Sequence, residues 1–167
     1  SKGEPDPLKM AEDVRAAVKY LRGKGVKHVT VVGTKLGGNV ALAAAVDTPG
    51  IDKIVMISPA LNANGVKVTA SLKGLDDRPL LMIAGLDDNL SRKAANLIDN
   101  EIDSGSVQIL DSGGSGMALV NRAADLESVL VSIASGSAEK AKTNTAQAVQ
   151  TGDADDLETT GTKLGER

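Results

Sequence analysis

Two rhythms of apolar positions divide the chain. Leu8, Ala11, Val14, Val18 and Leu21 recur at spacings of three and four, which places them on one face of an amphipathic helix. Asp6 followed by Pro7 supplies an N-cap and a first helical residue, and Gly23 or Gly25 supplies the stop. Four short runs, "HVTVVG", "KIVMIS", "PLLMIAG" and "SVQIL", are instead apolar almost without interruption. Such runs predict strands, the last three buried on both faces.

Helical patterns lie between the runs. "NVALAAAV" is apolar on nearly all sides, as in a helix packed deep against a sheet. A further helix is predicted from Ser91 to Ile102, with Ala94, Leu97, Ile98 and Ile102 on one side, and a last one carries Leu119, Ala123, Leu126, Leu130 and Ile133 on a single stripe. Alternating β and α units predict an α/β fold, a doubly wound and mostly parallel sheet with right-handed crossovers and helices on both faces. This pattern fills one domain, residues 1–135. Residues 136–167 are polar, threonine-rich and acidic in their middle, and predict an arm that is ordered only through contact with a neighbour. The arm repeats "GTKLG" from residues 33–37, a coincidence at that length.

Composition narrows the function. The chain has no Phe, no Trp and one Tyr, so its core must be built from Ala, Val, Leu, Ile and four Met. Without aromatic platforms, and with a formal charge of -3, nucleic-acid binding is disfavoured. The absence of Cys excludes disulfides, thiolate catalysis and thiolate metal sites. No apolar run approaches membrane-spanning length, which predicts a soluble protein, cytoplasmic or exported with its signal removed. No cofactor is implied.

The first strand runs into "GTKLGG", Gly33 to Gly38, and then into the buried helix. A nucleophile elbow has this layout: a reactive residue in strained backbone at the tip of a strand-to-helix turn, with small residues two before and two after it. Here Gly33 and Gly37 flank Lys35, with Gly38 following. The first helical amides, at Leu36 and Gly37, stand where they can bind an anion or oxyanion.

The segments "AEDVRAAVKYLRGKGVKHVTVVGTKLGGNVALAAA", "IDKIVMISPALNANGVKV", "RPLLMIAGLDDNLSRKAANLI" and "SVQILDSGGSGMAL", in that order, resemble the α/β-hydrolase family, and more closely its dienelactone-hydrolase-like branch. The resemblance implies a triad in the chain order nucleophile, acid, base. The serine position of the pattern Gly-x-Ser-x-Gly-Gly falls on Lys35. The acid position falls on Asp88, with Asp87 as the adjacent candidate, and the base position, usually a histidine, falls on Ser115. The one histidine, His28, stands at the start of the elbow strand. The resemblance therefore implies a hydrolase-like scaffold without triad catalysis. It covers only the later half of the family's fold, in which the elbow strand is central. The open edge of "HVTVVG" thus predicts a cover: a second copy of the chain, an N-terminal portion from outside it, or the arm folded back.

Each candidate has a plainer reading beside the chemical one. Lys35 is an amine nucleophile only in a dry pocket with an acid-base partner, and an ion pair with Asp87 or Asp88 is the simpler expectation. Ser115 has no histidine to take its proton, and a glycine-serine loop is the simpler reading. "GTKLGG" and "SGGSG" match neither the P-loop nor the dinucleotide fingerprint, so a phosphate cradle is the lesser reading. Asp87 and Asp88 lack a third ligand nearby, and "DADDLE" departs from the calcium-loop spacing, so no metal site is expected. The reading that follows is a binding or assembly module that self-associates or accepts a partner chain at the elbow-strand edge, with a small-molecule ligand over the strand ends. Its rival is a hydrolase of the ester or lactone class with a nonstandard nucleophile, or one completed by another chain.

Overall fold

The computed structural model describes residues 6–111 and 113–134, and the arm from residue 136 lies outside the described residues. Helix α1 (Pro7–Gly23) opens as its sequence predicts, with Asp6 Oδ1 accepting from the Leu8 amide at 3.0 Å. Then follow β1 (Thr30–Thr34), α2 (Leu36–Val46), β2 (Lys53–Ile57), the short strands β3 (Asn62–Ala63) and β4 (Val66–Lys67), and α3 (Val68–Leu72). The chain continues through β5 (Leu80–Gly85), α4 (Asn89–Asp99), β6 (Gly105–Leu110), α5 (Met117–Arg122) and α6 (Ala124–Ala134).

The four predicted strands form one parallel sheet in the order β1-β2-β5-β6. Val32 lies opposite Val55, and Met56 opposite Met82. Ile54, Met56, Leu80 and Met82 point to one face and pack with α1, α2, α3 and α4. Val55, Ile57 and Ile83 point to the other and pack with Leu119, Ala123, Leu126 and Ile133. Each such buried aliphatic side chain contributes about 1.5–3 kcal/mol. All four strands are parallel, so their C-terminal ends open onto one rim of the sheet, where α/β folds place their sites. No helix among the described residues is long and apolar enough to cross a membrane.

The structure departs from the sequence reading in three places. The helix expected from Ser91 begins at Asn89, because Asp88 caps it. The stripe from Leu119 to Ile133 is split between α5 and α6, since Ala123 is extended at φ -83°, ψ 97°. Strand β1 lies at the sheet edge, as the partial resemblance implied, and Val32 is 45% exposed. The hairpin β3–β4 was not expected, although its Asn64-Gly65 turn, with φ of 46° and 85°, carries a strong two-residue hairpin signal.

Two arginines fasten the connections. The Arg22 guanidinium donates to the carbonyls of Gly50 and Val26 and pairs with Asp52 at 2.6 Å, tying the end of α1 to the entry of β2. Arg78 donates to the carbonyls of Ala45, Gly74 and Leu75, the last two at 2.8 and 2.9 Å, so it closes the C-terminal end of α2 onto the loop before β5. Its pair with Asp76, at 3.9 Å and with that carboxylate 83% exposed, adds little. Arg78→Met keeps the aliphatic stem but removes the guanidinium donor from four carbonyls, those of Ala45, Thr48, Gly74 and Leu75. Urea unfolding is expected to show a loss of about 2–3 kcal/mol, whereas Asp76→Ala should change stability by less than about 0.5 kcal/mol.

Candidate functional site

The rim above the strand ends gathers the residues that the sequence singles out. Lys35 sits at the tip between β1 and α2 with φ 47° and ψ -117°, a backbone conformation that costs a non-glycine residue about 1–3 kcal/mol. Its amide donates to the Ile57 carbonyl at 2.9 Å, and its carbonyl accepts from the Gly38 and Asn39 amides, which fixes the turn from both sides. Gly33 makes the turn possible. A Cβ there would stand 2.3 Å from the Gly37 carbonyl carbon and oxygen and 2.5 Å from the Gly38 nitrogen. Gly38 is less confined: a Cβ there would stand 3.2 Å from the Gly33 carbonyl oxygen and 3.3 Å from Met56 Cβ. Gly37 differs from the expectation, because a Cβ on it would meet nothing within 4 Å. Its backbone, not its missing side chain, is what Gly33 must accommodate. Leu36 and Gly37 are the first two residues of α2, so their amides lack intrahelical partners.

The Lys35 side chain runs along Gly116 at φ 59°, so closely that a Cβ on Gly116 would stand 2.9 Å from Lys35 Cε. The loop before α5 therefore meets the elbow, and Ser115 is brought beside the acid position. Asp88 Oδ1 accepts from the Ser91 amide at 3.1 Å. Burial by itself raises the Asp88 pKa. The Ser115 hydroxyl, the hydroxyl and amide of Ser91 and the Ser58 hydroxyl outweigh that and hold it below the ordinary carboxylate value. Asp88 Oδ2 is buried without a hydrogen bond of good geometry, so the Ser115 and Ser58 hydroxyls act on it as nearby dipoles more than as aligned donors.

Lys35, Asp88 and Ser115 thus converge, but the expected ion pair is not formed. Among the described residues Lys35 pairs with neither Asp87 nor Asp88, and the lysine stem is laid over Gly116. Asp87 accepts from the Gly114 amide at 2.8 Å and so clamps the loop that carries Ser115. His28 lies before β1, at the opposite end of the strand from Lys35, and is exposed. No group of three or more His, Asp or Glu gathers among the described residues.

Sequence reasoning missed Ser58. It is 1% exposed, adopts φ 52° just past β2, and its Oγ accepts from the Gly116 amide at 2.7 Å. A serine closing an otherwise apolar strand was the available signal. Asn39 was missed as well: its Nδ2 donates to the Ala60 and Val66 carbonyls, both at 2.9 Å, and holds the β3–β4 hairpin beside the elbow. An open cleft of about 620 Å³ lies elsewhere, between α5 and α6, and contains none of the elbow residues.

Gly33→Ala is expected to destabilise by more than about 3 kcal/mol or to prevent folding. Gly37→Ala should stay within about 1 kcal/mol of the parent in the same urea unfolding series. For Asp88 the folded-state pKa is depressed, so its contribution is present above the unfolded value and is lost as pH falls through the folded one. The stability difference between the parent and Asp88→Asn should therefore be constant above about pH 5 and shrink as the pH drops below about 4.

Neither a family model nor a curated protein sequence matches the chain. Solved structures do. The chain is similar to the esterase domain of a Rhodothermus marinus protein, with 22% identity and a TM-score of 0.50 over 62% of this chain and 57% of that one. It is also similar to MGS-MChE2, an α/β hydrolase from a sediment metagenome of the Mar Chica lagoon in Morocco, with 19% identity and a TM-score of 0.55 over 80% and 74%. A third is the α/β hydrolase GrgF of Penicillium, with 16% identity and a TM-score of 0.57 over 80% and 73%. The chain spans 57% of the length of the Rhodothermus domain. At these identities the likeness is one of architecture, and the chain has an α/β-hydrolase-like fold.

Proposed function

We propose that this chain is a binding module built on an α/β-hydrolase frame, in which the rim over the strand ends holds a ligand or partner and does not hydrolyse it. The observation that carries this reading is what surrounds Asp88. In a working triad the acid orients a base that takes the nucleophile's proton. Here the carboxylate faces the hydroxyls of Ser115, Ser91 and Ser58 and the Ser91 amide, with no imidazole near it. The tip that would present an attacking oxygen presents the exposed Lys35. The parts that survive are those that bind: two first-turn amides of α2, an ammonium group and buried hydroxyls.

A second reading, a hydrolase of the ester or lactone class using Lys35 as an amine nucleophile, draws on one observation. Lys35 keeps a strained left-handed backbone at the tip, and strain of this kind is commonly maintained at working sites. One experiment separates the two: the rate of p-nitrophenyl acetate hydrolysis by the chain and by Lys35→Ala. Equal rates, each no greater than the uncatalysed background, are expected. Turnover in the parent that disappears in the variant would establish the nucleophile and overturn the binding reading.

A further inference from the structure

We propose that the chain pairs with a second copy of itself through the outer edge of β6, about a two-fold axis at Val107 that also brings the two α4 helices together. This surface is separate from the elbow, and the proposal does not depend on how the elbow is used. Strand β6 is hydrogen-bonded to β5 on one side only. The Leu80 amide donates to the Ser104 carbonyl and the Leu86 amide to the Leu110 carbonyl, so the even-numbered residues along β6 turn their peptide groups to β5. Gly105, Val107 and Ile109 therefore turn their N–H and C=O groups to the open edge. No residue from Gly105 to Leu110 is charged or a proline, so this edge carries none of the usual devices against pairing.

Neither the neighbouring helices nor the chain that follows is placed to close it. Beyond Leu110 the chain turns inward: Gly116 lies against the Lys35 stem, and Leu126 and Ile133 of α6 pack with Val55, Ile57 and Ile83. From β1 through β2 and β5 to β6 the sheet grows in one direction, with α2, α3 and α4 on one face. A further parallel strand reached from α6, on the opposite face, would need a left-handed crossover, which parallel sheets avoid.

The side chains beside the edge select a second copy. Asp99 lies at the start of β6, since a Cβ on Gly105 would stand 2.5 Å from its Oδ1. Asn96 and Arg92, three and seven residues earlier, follow it up the same side of α4. Glu101 instead borders a cavity with Thr69, Leu72 and Lys73, so the other side of the helix looks toward α3. Arg92 donates to the Leu86 carbonyl at 3.0 Å, and neither it nor Asp99 forms an ion pair among the described residues. Helix α4 lies over both β5 and β6. With strands about 4.8 Å apart, a two-fold axis normal to the sheet sets two antiparallel α4 axes about 10 Å apart, which is packing distance. Arg92 of each copy then faces Asp99 of the other, and Asn96 faces Asn96. The heights agree, because the midpoint of Arg92 and Asp99 is about 5 Å along the helix from Asp99 and Val107 is about 6.6 Å along the strand from Gly105. In the strands Val107 meets Val107, Gly105 meets Ile109, and Ser106 meets Gln108 on the other face. At the ends the exposed Asp103 of one copy meets the exposed Asp111 of the other, which weakens the pairing.

The test is sedimentation equilibrium of the full chain from about 1 μM to about 1 mM, with hydrogen exchange of residues 105–109 at both limits. An equilibrium between monomer and dimer is expected, with the amides of Gly105, Val107 and Ile109 exchanging at least about tenfold more slowly at the upper limit. Arg92→Asp and Asp99→Arg should each weaken the dimer about tenfold or more, and the two together should restore it to within about threefold. Both changes suit the helix dipole, an acid in the first turn and a base in the last, so the far-UV spectrum should not change. Asp111→Asn should tighten the dimer about threefold. A monomer throughout the range, a dimer that the charge exchange does not restore, or one that Asp111→Asn does not tighten would overturn the proposal. So would a dimer in which exchange of the three amides is unchanged, as pairing through β1 would give. A monomer whose three amides are already protected would overturn it as well, and would assign the edge to the chain's own remaining residues.

Discussion

The rest of the site depends on one close contact, the approach of Gly33 to the backbone of Gly37 and Gly38. The end of a strand and the first turn of a helix meet there with no room for a methyl group. From that contact follow the sharpness of the turn, the left-handed backbone of Lys35 and the aim of the first α2 amides over the rim. Fold and site chemistry are separable for this reason. The turn is held by glycines and by backbone hydrogen bonds to Ile57, so the side chain at the tip can change identity without the frame giving way.

A second layer of the rim is built from hydrogen bonds between loops. Asp87 and Ser58 each accept from an amide of the loop that carries Ser115, and Asp88 caps the helix that follows its own strand. These bonds have backbone amides as donors and leave no base at the carboxylate. The rim is thereby a preorganised polar surface in which these loop contacts are fixed, while Asp88 Oδ2 is buried without a partner of good geometry.

Much of this was legible in the sequence where a single physical rule dominates. The Asp6-Pro7 cap, the uninterrupted strands and the glycine-bounded elbow each follow from one local constraint, and all four main strands were placed. Local rules failed where tertiary contacts decide. The stripe from Leu119 to Ile133 keeps its periodicity across a break at Ala123, which a helical pattern cannot register. The Lys35 ion pair was expected from charge and proximity, but the lysine stem lies over Gly116 and Asp87 is bonded to the Gly114 amide, contacts between distant loops that no spacing rule reveals. Ser58 looks like the last residue of an apolar strand until the loop around Gly116 is folded over it.

Helix α2 is fastened at both ends by side chains reaching to or from distant loops: Asn39 grips the hairpin after β2, and Arg78 grips the Ala45 carbonyl from the loop before β5. A helix tied in this way moves as a rigid rod. A displacement at the elbow tip cannot be absorbed by fraying of the first turn; it must be carried along the axis or resisted by both anchorages together. The elbow is therefore mechanically part of the hydrophobic core and opens only when the core opens.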